Sequence, residues 1–377
     1  MAEYVGAIDQ GTTRTRFMIF DHDGREVARH QLEHEQIRPA AGWLEHDPHE
    51  IWETTQDVVS AAMGRAGVTA DDLVAIGIAN QPATTVVWDR RTGDPYCPAI
   101  VHGDVRAGAD GPSSAASIRW ILDHVDDARS DAEGGHAIFG TLDAWLVWWL
   151  TGGPDGGRHL TDVTNAARTT LMDLESLAWD DALLASLGIP TTMLPEIGSS
   201  SGVLATTEAE GPFSGEVTIG AVLADPSASL VGQACLAPGD LAVVGRTVLL
   251  NTGAEIERSV PGLRATPAYR FGEAEPVYAL EAAVTSTVED VVDALVTGTG
   301  RRPRVVRGDA GATNDAQAAQ HLADAVGLPV SRPVVVETAA LGAAHAAGLA
   351  VGFWASPDDL VTRWNEAARW DPAPRPA

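Results

Sequence analysis

The chain has 377 residues, 45% of them apolar, which is more than one ordinary hydrophobic core holds and argues for two globular domains. Its 52 acidic residues stand against 25 basic ones, every one an arginine, for a formal charge of −27. Such an excess repels phosphate backbones and anionic membranes, which excludes nucleic acid and membrane surfaces as natural partners, and it is best tolerated where salt screens it. A salt-rich, halophilic cytoplasm is therefore expected. No stretch approaches eighteen uninterrupted apolar residues and the first residues lack a basic, then apolar, leader, so a cytoplasmic protein is predicted. Cys97 and Cys235 lie far apart without a metal-ligand spacing and read as buried thiols.

In chain order, Tyr4 to Ile8, Arg16 to Phe20 and Glu26 to Leu32 alternate like strands and predict an antiparallel meander. A helix is expected from Asp47 to Ala66, with Asp47 as cap and Pro48 at the first helical position, and another over Ser117 to His124. Leu73 to Ile78 and Thr84 to Trp88 read as strands, and the mixture predicts an α/β domain with a five-stranded mixed sheet. Trp145, Trp148 and Trp149 fall at helical spacing, as a packed helix face would, while the run from Asp123 to Glu133 reads as solvated acidic surface. A second pattern of the same kind opens near Val217, with a buried strand ending in Asp225, an apolar helix, and a strand from Leu241 to Leu250. The domain boundary is expected near residue 236, giving domains 1–236 and 237–377. The Pro-rich tail Pro372 to Ala377 is best left without structure.

The most telling run is AIDQGTTRTRFMIF, Ala7 to Phe20. A strand emptying into Asp9-Gln10-Gly11-Thr12-Thr13 directs backbone N–H groups and two hydroxyls at one small volume, which suits a phosphate tail, and Asp9 can hold a water of the accompanying Mg²⁺. Taken alone, the run reads more readily as a hairpin whose Asp and Thr side chains satisfy local backbone groups.

Further strings line up with it: GWLEHDPHEIWE at 42–53, AIGIANQPATTVVWD at 75–89, FGTLDAWLVWWLTGG at 139–153, TDVTNAARTTLMDL at 161–174 and ETAALGAAHAAGLAVGFW at 337–354. Together they closely resemble the glycerol kinases among the FGGY carbohydrate kinases. The resemblance implies an α/β, two-domain, actin-like ATPase fold of the ribonuclease H type. It also implies ATP and Mg²⁺ as cofactors in the cleft between the domains, and phosphoryl transfer to a polyol hydroxyl. Position by position, Asp9 matches the metal-side acid, Thr12, Thr13 and Arg16 the first nucleotide-phosphate loop, and Asp225 the catalytic base. Gly308, Gly311 and Asn314 are the nearest matches to the adenosine-side glycine pair.

The same alignment implies departures. Pro82 and Ala83 stand where the family carries an arginine and a glutamate that grip the polyol. His102 replaces a packing tryptophan, Pro112 a tyrosine donor after a deletion between Arg106 and Gly111, and Pro226 a glutamine. His102 alone reads as a surface or core histidine. The second phosphate loop, glycine-threonine-glycine in the family, is reduced to Val243-Val244-Gly245, while Asn251-Thr252-Gly253 persists. Between Glu281 and Thr287 the chain steps across what would be much of the second domain. A truncated, partly eroded second domain with apolar surface and open strand edges is therefore expected. Glycerol kinase activity is expected to be weak or absent. The alternatives are a non-catalytic pseudokinase that binds nucleotide or pairs with itself or a full-length kinase, a decaying gene copy with no selected role, and a kinase for a less polar alcohol.

Overall fold

A computed structural model describes residues 3–107, 113–257, 260, 262–283 and 287–374. Pro112 and the end of the Pro-rich tail therefore lie outside the described residues.

The first lobe is built on a six-stranded sheet. Its strands in chain order are β1 (Tyr4–Gln10), β2 (Arg14–Phe20), β3 (Glu26–Glu33), β4 (Leu73–Asn80), β5 (Ser201–Thr206) and β6 (Thr218–Ala224), arranged β5-β6-β4-β1-β2-β3. The meander β1-β2-β3 is antiparallel, β1 pairs parallel with β4, and β4 pairs parallel with β6. One strand more than expected is present, because β5 adds an antiparallel edge to β6. Helix α1 (Pro48–Ala66) forms as its caps dictate: Asp47 accepts from the His49 N–H, and Gly67 closes the far end in the left-handed conformation. The tryptophan-rich helix α2 (Leu142–Leu150) packs against the same face of the sheet, with Trp145 donating its ring N–H to the Pro48 carbonyl.

The run from Leu241 to Leu250 is a hairpin rather than one strand. Its two arms are β7 (Leu241–Val244) and β8 (Thr247–Gly253), and Gly245 turns the chain with φ +55°. The sheet is completed by β9 (Arg264–Tyr269), β10 (Val277–Ala283), β11 (Val306–Gly308), β12 (Val330–Pro333) and β13 (Glu366–Trp370), arranged β9-β10-β8-β7-β11-β12-β13. The shortened second lobe nevertheless keeps a continuous sheet, and the expectation of open apolar surface is corrected. Seven strands remain, and a separate apolar core, with Leu250, Val292, Leu295 and Val306 in it, lies under the helices Val288–Thr299 and Ala316–Val326. Among the described residues, the exposed large apolar side chains are scattered singles such as Val203 and Val334, not an open face.

Both lobes share one plan, a hairpin flanked by parallel strands on one side and antiparallel ones on the other. The chain returns to the first lobe through α4 (Thr338–Ala350), which lies on β1, β4 and β6 and crosses α3 (Asp225–Gly232). The helices touch backbone to backbone: a Cβ on Gly342 would stand 1.7 Å from the Ala228 carbonyl oxygen, and one on Gly232 2.0 Å from that of Thr338. Among the described residues no helix is long and apolar enough to cross a membrane. Cys97 is partly covered and Cys235 buried, and burial pushes the two thiols up to about 11 and about 12.

Candidate active site

A cleft of about 1020 Å³ runs between the lobes and collects the turn after β1, the start of α3, the β7–β8 turn and the start of α4. Asp9 lies at the end of β1, nearly buried, with its Oδ2 3.1 Å from the Arg16 Nε across the β1–β2 pair. The turn closes by a bond from the Gly11 N–H to the Arg14 carbonyl at 2.9 Å. The Thr12 carbonyl accepts from the His34 ring and from the Gln36 amide, each at 2.9 Å. Those bonds pin the hairpin tip. Thr12, Thr13, Arg14 and Arg16 line the cleft.

Asp225 is the first residue of α3, and Pro226 beside it fixes the helix start. The strand end before it is held by a buried polar network. Asn80 and Asn165 exchange amide bonds at 2.9 and 3.0 Å, Asp162 accepts from Asn165, and the Thr164 hydroxyl accepts from the Ala224 N–H at 2.8 Å. Oδ1 of Asp225 is buried and has no hydrogen-bond partner among the described residues. Burial first, and the Asp9 charge second, push its carboxyl well above the usual carboxylate range, against the pull of Arg16 and Arg168. Asp9 is raised as well, by burial, with Arg16 lowering it and Glu337 raising it. Two nearby buried carboxylates, one with an orphaned oxygen, form a site that a divalent cation would relieve. Among the described residues no group of three or more His, Cys, Asp or Glu side chains could hold a metal alone. The donor set therefore fits Mg²⁺ carried with phosphate oxygens rather than an all-protein cage.

Of the three residues expected on the adenosine side, Asn314 lines the cleft, while Gly308 and Gly311 are packing positions outside its lining. A Cβ on Gly308 would meet Thr313 at 2.6 Å, and one on Gly311 the Gly245 Cα at 3.1 Å. The reduced second loop does face the cleft through Val244 and Gly245, but the Gly245 N–H donates to the Asp309 carboxylate at 2.9 Å. Sequence reasoning missed Asp309 and Glu337. Glu337 precedes α4 and takes the Arg29 guanidinium at 2.7 Å. The available signal was the ETAA string opening a run of small residues, as a helix start would.

The described positions implied for the polyol gather in a second cavity of about 940 Å³, where Pro226 and Arg246 are chain neighbours of Asp225 and Gly245 in the first. Pro82, Ala83, His102 and Pro226 all line it. Ala83 sits in the left-handed region at φ +60°, a strained conformation for a non-glycine residue. His102, expected on the surface or in a core, faces this cavity. Its Nδ1 has no partner among the described residues, and burial followed by the nearby Arg168 charge lowers its pKa, so the ring is neutral. Arg168, fully buried, donates from Nη1 to Glu281 at 2.5 Å, while its Nε and Nη2 have no partner among the described residues.

Two lobes of one plan, closing on a cleft with a threonine-bearing hairpin in one wall and an aspartate at a strand end in the other, define an actin-like ATPase fold. The chain belongs to the FGGY carbohydrate kinases: the model of the FGGY family of carbohydrate kinases, N-terminal domain, matches residues 4–113 and 107–232. It is 43% identical to glycerol kinase 1 of Streptomyces coelicolor over 477 aligned positions, covering 99% of this chain and 94% of that protein. It is equally similar to a glycerol kinase of Mycobacterium tuberculosis, 43% identical over 476 positions and covering 98% and 92%. A 377-residue chain spread over 477 positions carries deletions amounting to at least roughly a hundred residues. Among solved structures, Plasmodium falciparum glycerol kinase with ADP superimposes with a TM-score of 0.89 at 24% identity, covering 98% of this chain and 94% of that one. Lactobacillus acidophilus gluconate kinase gives 0.82 at 16%, covering 100% and 94%. Both attest the fold.

Proposed function

We propose that this glycerol kinase-like protein, with a first lobe of about 1–236 that the segment around Thr338–Ala350 rejoins and a second lobe from 237, binds ATP with Mg²⁺ and transfers the γ-phosphoryl group to a small alcohol, with glycerol a poor acceptor. The observation that supports it is the meeting of Asp9, Thr12, Thr13 and Asp225 in one cleft. Asp225 accepts the acceptor's hydroxyl proton at a carboxylate oxygen as that hydroxyl attacks. Thr12, Thr13 and the turn at Gly11 orient phosphate oxygens, and Asp9 holds the metal side with Arg16 as its counter-charge. Mg²⁺, when bound, would neutralise phosphate charge and offset the repulsion between the two aspartates. The acceptor cavity offers glycerol a proline, an alanine, a neutral imidazole and a second proline where the resemblance implies grips. An unmade hydrogen bond at a polar site costs on the order of 1–3 kcal/mol each.

A second reading, nucleotide binding without transfer, is favoured by two contacts: Arg16 engages Asp9, and Asp309 engages the Gly245 N–H. Thermal melts with Mg·ATP and an ADP-release assay with glycerol test both. Mg·ATP is expected to raise the melting midpoint of the natural protein and not of Asp9→Asn. Glycerol-dependent turnover should fall far below the roughly 1–100 s⁻¹ of ordinary kinases. Turnover within that range would refute the poor-acceptor assignment, and no Mg·ATP shift would refute the nucleotide site.

A further inference from the structure

The second cavity is cationic in a strongly anionic protein. Four arginines line it, Arg119, Arg168, Arg246 and Arg264, and Glu281 is the sole carboxylate among the described lining residues. This concentration stands out in a chain where acids outnumber bases two to one. Glu281 is shared by two of them: Arg168 and Arg264 both donate to its Oε2, at 2.5 and 3.0 Å, which holds its carboxyl below the usual range despite burial. The Arg168 guanidinium is 2% exposed, and two of its nitrogens, Nε and Nη2, lack partners among the described residues. A buried guanidinium retaining unpaired donors is costly unless an acceptor of opposite charge arrives. The rest of the wall is mainly apolar, with Pro82, Ala83, Leu183, Leu187 and Leu263 in it; His102 and the hydroxyls of Ser113, Thr170 and Thr247 also line it, and the Ser113 and Thr170 hydroxyls bond each other at 2.7 Å.

We propose that this cavity takes an anionic alcohol, a short carbon chain bearing a carboxylate or phosphate together with the hydroxyl to be phosphorylated, rather than a neutral polyol. The inference rests on the kinase reading above and names the substrate class of that site. Arg168 and Arg119 hold the acceptor's anionic group, and its carbon chain lies along the apolar wall. The hydroxyl is directed toward Asp225, which neighbours the cavity-lining Pro226. In the transfer, the alcohol oxygen forms a bond to the γ-phosphorus, and the bond from that phosphorus to the β–γ bridging oxygen breaks. The hydroxyl proton passes to Asp225 and ADP departs with the electron pair.

Glycerate carries the carboxylate, glycerol 3-phosphate the phosphate, and glycerol neither, so these three are the probes. Calorimetric titration into the natural protein reads the cavity without turnover, and ADP release with Mg·ATP reads the reaction. At least one anion is expected to bind, and to support ADP release with kcat/KM about a hundredfold above glycerol. Arg119→Gln, on the exposed side of its helix, should weaken the anion about tenfold through KM while leaving the KM for Mg·ATP unchanged. Arg25→Gln, which removes the same charge from a remote surface, should change neither value. Which anion binds distinguishes a carboxylate from a phosphate acceptor. The inference is overturned if neither anion binds at millimolar concentration, if glycerol binds or reacts as well as both, or if Arg119→Gln and Arg25→Gln act alike. An anion that binds while Mg·ATP shifts no melt and releases no ADP leaves the cavity assignment standing and refutes the kinase reading.

Discussion

Asp225→Asn is expected to stabilise the protein while abolishing transfer. Folding buries this carboxyl beside Asp9 with Oδ1 unpartnered among the described residues, so its folded-state pKa is raised whereas the unfolded chain keeps the ordinary value near ~4. The sign follows from proton binding. Above the ordinary value the native state holds the proton more tightly than the unfolded one, so this group's contribution to stability falls as pH rises and is fully unfavourable above the folded-state pKa. A buried polar group left unsatisfied costs about 1–3 kcal/mol, more when charged, so Asn should gain about 2 kcal/mol at pH 8. For a chain of this size that is a rise of about 2–5 °C in the melting midpoint, shrinking toward zero near pH 4. Mg²⁺ should narrow the gap, because the cation stabilises the natural pair of carboxylates and not the variant. Thermal melts from pH 4 to 8, with and without Mg²⁺, provide the measurement. A variant that melts below the natural protein at pH 8, or a gap that ignores pH, would refute the electrostatic reasoning.

The crossing of α3 and α4 leaves no room for a side chain at Gly342, so Gly342→Val should cost about 3 kcal/mol or more, read by urea denaturation, with both lobes losing their shared support. Arg168→Met leaves the buried Glu281 with Arg264 as its remaining cation and should cost about 1–3 kcal/mol. The double variant Arg168→Met with Glu281→Leu should recover most of that loss in the same assay. With a formal charge of −27, the melting midpoint should climb steadily between 0.1 and 2 M KCl, and a flat profile would remove self-repulsion as a factor.

What could be read from the amino-acid order follows the range of the interactions involved. The meander β1-β2-β3 was legible because alternation and the turn at Asp21 to Gly24 are local, and α1 because its caps are neighbours in sequence. The hairpin β7–β8 read as one strand because its apolar run is nearly unbroken, and Gly245 was weighed as a remnant of a phosphate loop rather than as a turn. The second lobe reads as partly eroded because deletions count residues, whereas a sheet needs only its strands. Val306–Gly308 is three residues long, too short for periodicity to reveal, yet it pairs parallel with β7 and β12 and keeps the sheet continuous.

The site divides along the same line. Asp9, Thr12, Thr13 and Asp225 stand at strand ends, and once the strands are placed their convergence follows from sheet geometry. The second cavity owes its charge to residues such as Arg168 and Glu281, 113 residues apart and in different lobes. No pattern along the chain announces that pairing. The resemblance implies that the polyol grips are absent, but no run along the chain says which charges line the cavity at those positions. The question the proposal puts to this protein is therefore whether its arginines admit an anion, and the probes that carry one answer it directly.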